Sequence, residues 1–124
     1  MHSNKTKGQI EADISAAMTQ FEREYLGRGP RAARSFIIQD MILSRLHGVL
    51  TLAEERLAGE RDGAQVIKQV RMRLIESARP LLEQIIFEKT GARIVTLHTD
   101  ISSKTGERIF VFCLNKNLEE ELRK

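Results

Sequence analysis

Arginines gather around a glycine-rich break in the chain: Arg23, Arg28, Arg31 and Arg34, with Arg45 farther on. Gly27-Arg28-Gly29-Pro30 allows backbone and guanidinium donors to approach one another. A guanidinium fork matches an oxyanion such as phosphate or bicarbonate. The plainer reading is a solvated loop with surface ion pairs. The stretch is not a dinucleotide fingerprint, because no G-x-G-x-x-G follows a strand here. A second set of donors stands at Ser102-Ser103-Lys104-Thr105-Gly106, where hydroxyls, an ammonium and a glycine at a hairpin tip can clasp an anion or a partner, or simply make a good turn. The residues proposed to bind an anion or partner are therefore Arg28, Arg31, Arg34, Arg45, Lys104 and Thr105.

His98 and Asp100 are two residues apart, so on a strand they project to one face, and His47 could join them from another hairpin. Two histidines and a carboxylate suffice for zinc or iron. Against that, Asp100 before Ile101-Ser102 is also well placed to cap turn amides. Other catalytic chemistry is poorly supplied. Cys113 is the single cysteine, which excludes an internal disulfide or a CxxC site. It lies in the apolar run 109–114, where a small buried hydrophobe is expected and a reactive thiolate is disfavoured. There is no G-x-S-x-G, and the paired carboxylates Glu54-Glu55 and Glu119-Glu120-Glu121 lie on helix surfaces. The sequence points to a non-enzymatic protein with no cofactor.

The 124 residues fit one domain, 9–124, after a polar, disordered stretch at 1–8. The net charge is only +3, from 20 basic and 17 acidic residues that interleave along most of the chain, so solvated faces are a better default than a face devoted to nucleic acid. An RNA- or DNA-binding α+β domain remains the alternative function, drawing on a pI of 9.3. It needs an aromatic stacking platform, for which only Phe110 and Phe112 alternate suitably, and burial beneath a helix explains them equally well. No run approaches the ~20 apolar residues of a membrane span, and no apolar stretch follows the N-terminal residues. A cytoplasmic protein is expected, with no direct membrane insertion.

Residue spacing places the candidates on elements. Ile10, Ile14, Met18, Phe21 and Tyr25 mark an amphipathic helix from Gln9, ended by Gly27 as a left-handed cap. The stretches 35–40 and 41–50 read as a hairpin broken at Gln39-Asp40. Thr51-Leu52-Ala53-Glu54 has the form of a capping box for a short helix to Gly59. From Gly63 to Lys89, Val66, Val70, Leu74, Ala78, Leu81 and Ile85 form one stripe, widened by Ile67, Ile75, Leu82 and Ile86. Pro80 predicts a break near Ala78-Arg79. The stretches 93–99 and 108–114 form a second hairpin. Asn115 is the expected cap of a last helix over 118–123. The fold class is α+β, in the order α-β-β-α-α-β-β-α: two hairpins in a four-stranded antiparallel sheet with helices on one face. The uncovered face predicts a homodimer.

Several segments occur together in order: Gly27-Arg28-Gly29-Pro30, Asp40, Leu46-His47-Gly48-Val49-Leu50-Thr51-Leu52-Ala53-Glu54, Thr90-Gly91-Ala92-Arg93-Ile94-Val95, and His98 through Arg108 with Asp100-Ile101-Ser102-Ser103-Lys104-Thr105-Gly106-Glu107. In this order they resemble the MpsC-like family of small bacterial domains, over roughly residues 9–114. The resemblance implies an accessory component linked to a membrane-potential-generating system for cation and inorganic-carbon transport, with a membrane transporter subunit as partner. It carries no catalytic residue with it.

Overall fold

The computed structural model describes residues 5–123. Helix α1 (Lys7–Leu26) begins two residues before the expected Gln9. Thr6 is the reason: its hydroxyl accepts from the Gln9 amide while the Gln9 side chain accepts from the Thr6 amide, a reciprocal cap that fixes the first turn. Of the stretch expected to be disordered, residues 1–4 lie outside the described residues. Gly27 closes α1 at φ 99°, in the left-handed region that favours glycine.

Strands β1 (Ala32–Ile38) and β2 (Met41–His47) form the first hairpin, turning at Gln39 and Asp40. Helix α2 (Leu52–Ala58) follows the Thr51 box. Helices α3 (Gly63–Ser77) and α4 (Arg79–Thr90) meet at Ala78, so the long apolar segment is two helices, with Pro80 placed in the first turn of the second, where its missing N–H does no harm. Strands β3 (Ile94–Ile101) and β4 (Arg108–Leu114) form the second hairpin, and α5 (Leu118–Arg123) is the last element among the described residues. The expected cap of α5 is corrected: Asn117 accepts from the Glu120 amide, while Asn115 instead accepts from the Arg93 amide at the start of β3.

The four strands make one antiparallel sheet in the order β1-β2-β4-β3. Strand alternation sorts its residues. Ser35, Ile37, Ile42, Ser44, Leu46, Arg108, Phe110, Phe112 and Leu114 point into the helix layer and are buried. Ile10, Ile14, Met18 and Phe21 of α1, Ile67 and Ile75 of α3, and Leu82 and Ile86 of α4 complete one core. Phe110 and Phe112 stack on each other at 5.7 Å with no exposure, so they offer no platform for bases. A chain of hydroxyls, Ser15 to Ser35 at 2.9 Å and Ser35 to Ser44 at 2.8 Å, satisfies the polar atoms where α1 crosses the hairpin.

Two expectations about burial are corrected. On α3, Val66, Val70 and Leu74 face outward, with Leu81 of α4. The core face is instead Ile67, Arg71 and Ile75, the neighbouring stripe. Cys113 is only half-buried, because alternation turns it to the uncovered face of the sheet.

Candidate functional site

Four of the six anion or partner candidates share one cleft. Arg28 and Arg31, from the loop after α1, face Lys104 and Thr105, from the β3–β4 turn, across an opening of about 340 Å³. Gly48 and Gly106 form its floor. Both have positive φ, 73° and 74°, and their backbones pass closely: the amides of Gly48 and Val49 donate to the Gly106 carbonyl at 3.0 and 3.1 Å. A Cβ at Gly48 would stand 2.6 Å from Arg31 Nε, so the bare glycine is what lets the Arg31 side chain lie across the floor. Arg28 is held by the Leu50 carbonyl, to which Nη1 donates at 2.7 Å, and it touches Glu55 at 3.4 Å.

The remaining candidates lie elsewhere. Arg34 and Arg45 are opposite each other on β1 and β2, on the uncovered face of the sheet. Arg45 donates to Glu107, whose carboxyl is thereby held below its ordinary value. Arg34 lies over the Phe36 ring at 5.6 Å. His98 and Asp100 do share a face of β3, as the two-residue spacing requires, but His47 ends β2 beside Glu107, and the three do not gather. Among the described residues no group of three or more His, Cys, Asp or Glu is placed to hold a metal. Asp100 caps the Ile101 amide at 2.8 Å and meets Lys68 at 3.3 Å. The amide bond, with Lys68 adding to it, lowers its pKa.

Behind the cleft lies a cluster that the sequence reading missed. Arg71, only 1 % exposed, donates to both oxygens of Glu54 at 2.7 and 2.8 Å, to the Val49 carbonyl at 3.0 Å and to Glu22 at 3.2 Å. Arg108 faces the other oxygen of Glu22 at 3.5 Å and donates to Thr99 at 2.8 Å. Glu22 Oε2 and Arg108 Nε lack a hydrogen-bond partner among the described residues. Burial raises the Glu22 pKa despite Arg108 and Arg71, and lowers that of Arg108 to about 10 despite Glu22. Glu54 behaves oppositely: burial alone would raise it, yet the hydrogen bonds from Arg71 and Thr51 bring it below the ordinary value. The cluster ties α1, α2, α3 and β4 together, with the Val49 carbonyl next to the cleft floor.

Three charges at core positions were the available signal. Glu22 continues the Ile10-Ile14-Met18 spacing, Arg71 falls between Ile67 and Ile75, and Arg108 alternates with Phe110 and Phe112. Glu54 therefore does more than cap. Its Oε1 accepts from the Thr51 amide at 2.8 Å while serving Arg71, and Thr51 Oγ1 accepts from the Glu54 amide at 3.2 Å. Thr51→Ala removes only the second of these cap bonds and should lower the unfolding free energy by about 1 kcal/mol in urea titrations. An unchanged midpoint would mean that Glu54 holds the turn without the hydroxyl.

No helix among the described residues is long and apolar enough to cross a membrane. No solved structure matches the chain. It is 46 % identical over 120 residues to the uncharacterized protein YbcI of Bacillus subtilis, covering 97 % of each chain. It is 24 % identical over 110 residues to the uncharacterized protein YrhF of the same organism, covering 88 % of this chain and 90 % of the relative. Residues 6–116 match the family described as Na+-translocating membrane potential-generating system (MpsC), and the chain belongs to that family.

Proposed function

We propose that the protein is a non-enzymatic accessory module of a membrane-potential-generating system, acting in the cytoplasm as a homodimer beside a membrane subunit of that system. Family membership supports the system. Glu22 and Arg108, the two charges whose pKa burial shifts most against their partners' pull, are shut inside the helix layer at 2 % exposure or less and serve packing, whereas in an enzyme perturbed charges would face a substrate.

The uncovered sheet face carries the dimer. Its residues form three rows across the strands: Arg34-Arg45-Ile109-Asp100, Phe36-Leu43-Val111-His98 and Ile38-Met41-Cys113-Thr96. Phe36, Leu43, Met41, Val111 and Cys113 make a half-buried apolar centre, with a cation at the β1 edge and an anion at the β3 edge. A two-fold axis parallel to the strands, running between β2 and β4, lays β1 over the other protomer's β3. Arg34 then meets Asp100 of the partner subunit, and Leu43 meets the partner's Val111. One self-complementary patch closes the pair, as an isologous interface requires, and aligned sheets pack in this manner.

Light scattering should give a dimer mass for the wild type. Arg34→Asp and Asp100→Arg should each shift the mass toward monomer, since like charges facing across an interface cost several kcal/mol. The two changes together should restore the dimer. A monomeric wild type, or a double variant no better than either single, rules this interface out.

A further inference from the structure

We infer that the cleft between the Arg28–Arg31 loop and the β3–β4 turn is a binding site for a phosphate-class dianion, a phosphate monoester group. This goes beyond the dimer and does not depend on it, since the cleft lies at the end of the sheet and not on its open face.

Charge sets the class of ligand. Three cations, Arg28, Arg31 and Lys104, line the cleft against one anion, Glu55, leaving a formal surplus of two positive charges. Among the described residues the Glu55 carboxylate makes one ion pair, with Arg28 at 3.4 Å. A doubly charged oxyanion balances that surplus, whereas a carboxylate balances half of it.

Donor geometry agrees. Several backbone amides around the cleft are engaged: those of Gly48 and Val49 donate to the Gly106 carbonyl, that of Gly106 to the Ser102 carbonyl, and those of Thr105 and Glu107 to the Ser102 and Thr105 hydroxyl oxygens. The charged donors lining the cleft are side chains. Thr105 Oγ1 already accepts, so its proton is free to donate outward. The guanidinium of Arg28 is fixed by the Leu50 carbonyl, and that of Arg31 rests over Gly48. Forked donors on one wall and a mobile ammonium and a hydroxyl on the other suit the several acceptor oxygens of a tetrahedral phosphate better than a planar anion. At about 340 Å³ the cleft is at the small end of ligand sites and has room for the group esterified to the phosphate.

The ester could be a soluble molecule or a lipid headgroup, so two probes are used at low salt on the full chain. Calorimetry with glycerol 3-phosphate tests the soluble source. Flotation with phosphatidylcholine vesicles, with and without phosphatidate, tests the lipid. Saturable binding in the first, or phosphatidate-dependent binding in the second, is the expected result and identifies the source. Arg31→Met and Lys104→Met replace exposed side chains. Each should weaken that binding about tenfold or more, with unchanged melting. Failure of both probes overturns the assignment. So does acetate binding as tightly as the phosphate ester, or affinity undiminished in the Arg31→Met and Lys104→Met variants.

Discussion

Arg108→Met should lower the unfolding free energy by about 3–5 kcal/mol, and Glu22→Met by a similar amount, while the double variant should recover most of the loss. Each single change leaves a charge in the helix layer without its counterpart. Without Arg108, Glu22 keeps only Arg71, at 3.2 Å. Without Glu22, Arg108 keeps only the Thr99 hydroxyl and the Phe110 ring. The pair itself contributes little, because its facing atoms are 3.5 Å apart and make no hydrogen bond, so their mutual attraction does not offset the cost of taking both ions out of water. Removing both leaves Arg71 with the two oxygens of Glu54 and the Val49 carbonyl, a balanced and well-bonded remainder. Urea titrations of the four proteins give the coupling directly. If the double variant loses the sum of the single losses, the two charges do not oppose each other's burial.

The same pair sets a pH dependence. Burial raises the folded pKa of Glu22 above its ordinary 4.5, so folding disfavours the ionised form. The stability linked to this group is fully present below 4.5 and is lost as pH rises through the folded value. Relative to the double variant, the wild type should gain stability as pH falls from neutral toward 4.5. Glu54 works in the opposite sense, since its pKa is lowered: its contribution is present above 4.5 and lost only as pH falls through its folded value. An unchanged difference between the two proteins over that range would mean that Glu22 is not perturbed.

These charges also explain why the sequence was legible in one layer and not in another. Chain breaks carry local chemistry: Gly27 must be left-handed, Thr51 and Glu54 cap each other, Pro80 stops a helix, and the residues from Ser102 to Gly106 turn a hairpin. Each of these reads from a few neighbouring residues, and so does the order of elements. Which helix face turns inward does not. On α3 the stripe at 66, 70 and 74 is wholly apolar, while that at 67, 71 and 75 is interrupted by Arg71. Periodicity therefore favours the wrong one. The decision lies with Glu22 and Glu54, which are distant in sequence and satisfy the arginine. The cleft was half legible for a related reason. Arg28, Arg31, Lys104 and Thr105 are loop and turn residues, but Arg34 and Arg45 are governed by strand alternation, which sends them to the open face. Gly48 mattered only through its approach to Gly106.

Gly63→Ala should cost about 3 kcal/mol, the upper end of what an added methyl costs in a packed site. A Cβ there would stand 1.7 Å from the Leu57 carbonyl oxygen and 2.7 Å from its carbon. Those atoms are backbone of α2, so no side chain can swing away and the two helices must separate. Separation is resisted by the bonds they share, above all the fork from Arg71 on α3 to Glu54 on α2. Gly63 also donates to the Glu60 carbonyl at 3.0 Å, directly after Asp62 at φ 60°, so the short connection has little slack. Gly59 is the control. Its φ of −80° suits any residue, and its nearest foreign atom would be 3.5 Å from a Cβ, an ordinary contact. Gly59→Ala should therefore stabilise by about 0.4–1 kcal/mol through a less flexible unfolded chain. Thermal and urea unfolding of both variants should give shifts of opposite sign. A Gly63→Ala protein as stable as the wild type would mean that the α2–α3 junction yields, and that the Arg71 fork does not hold the two helices at this distance.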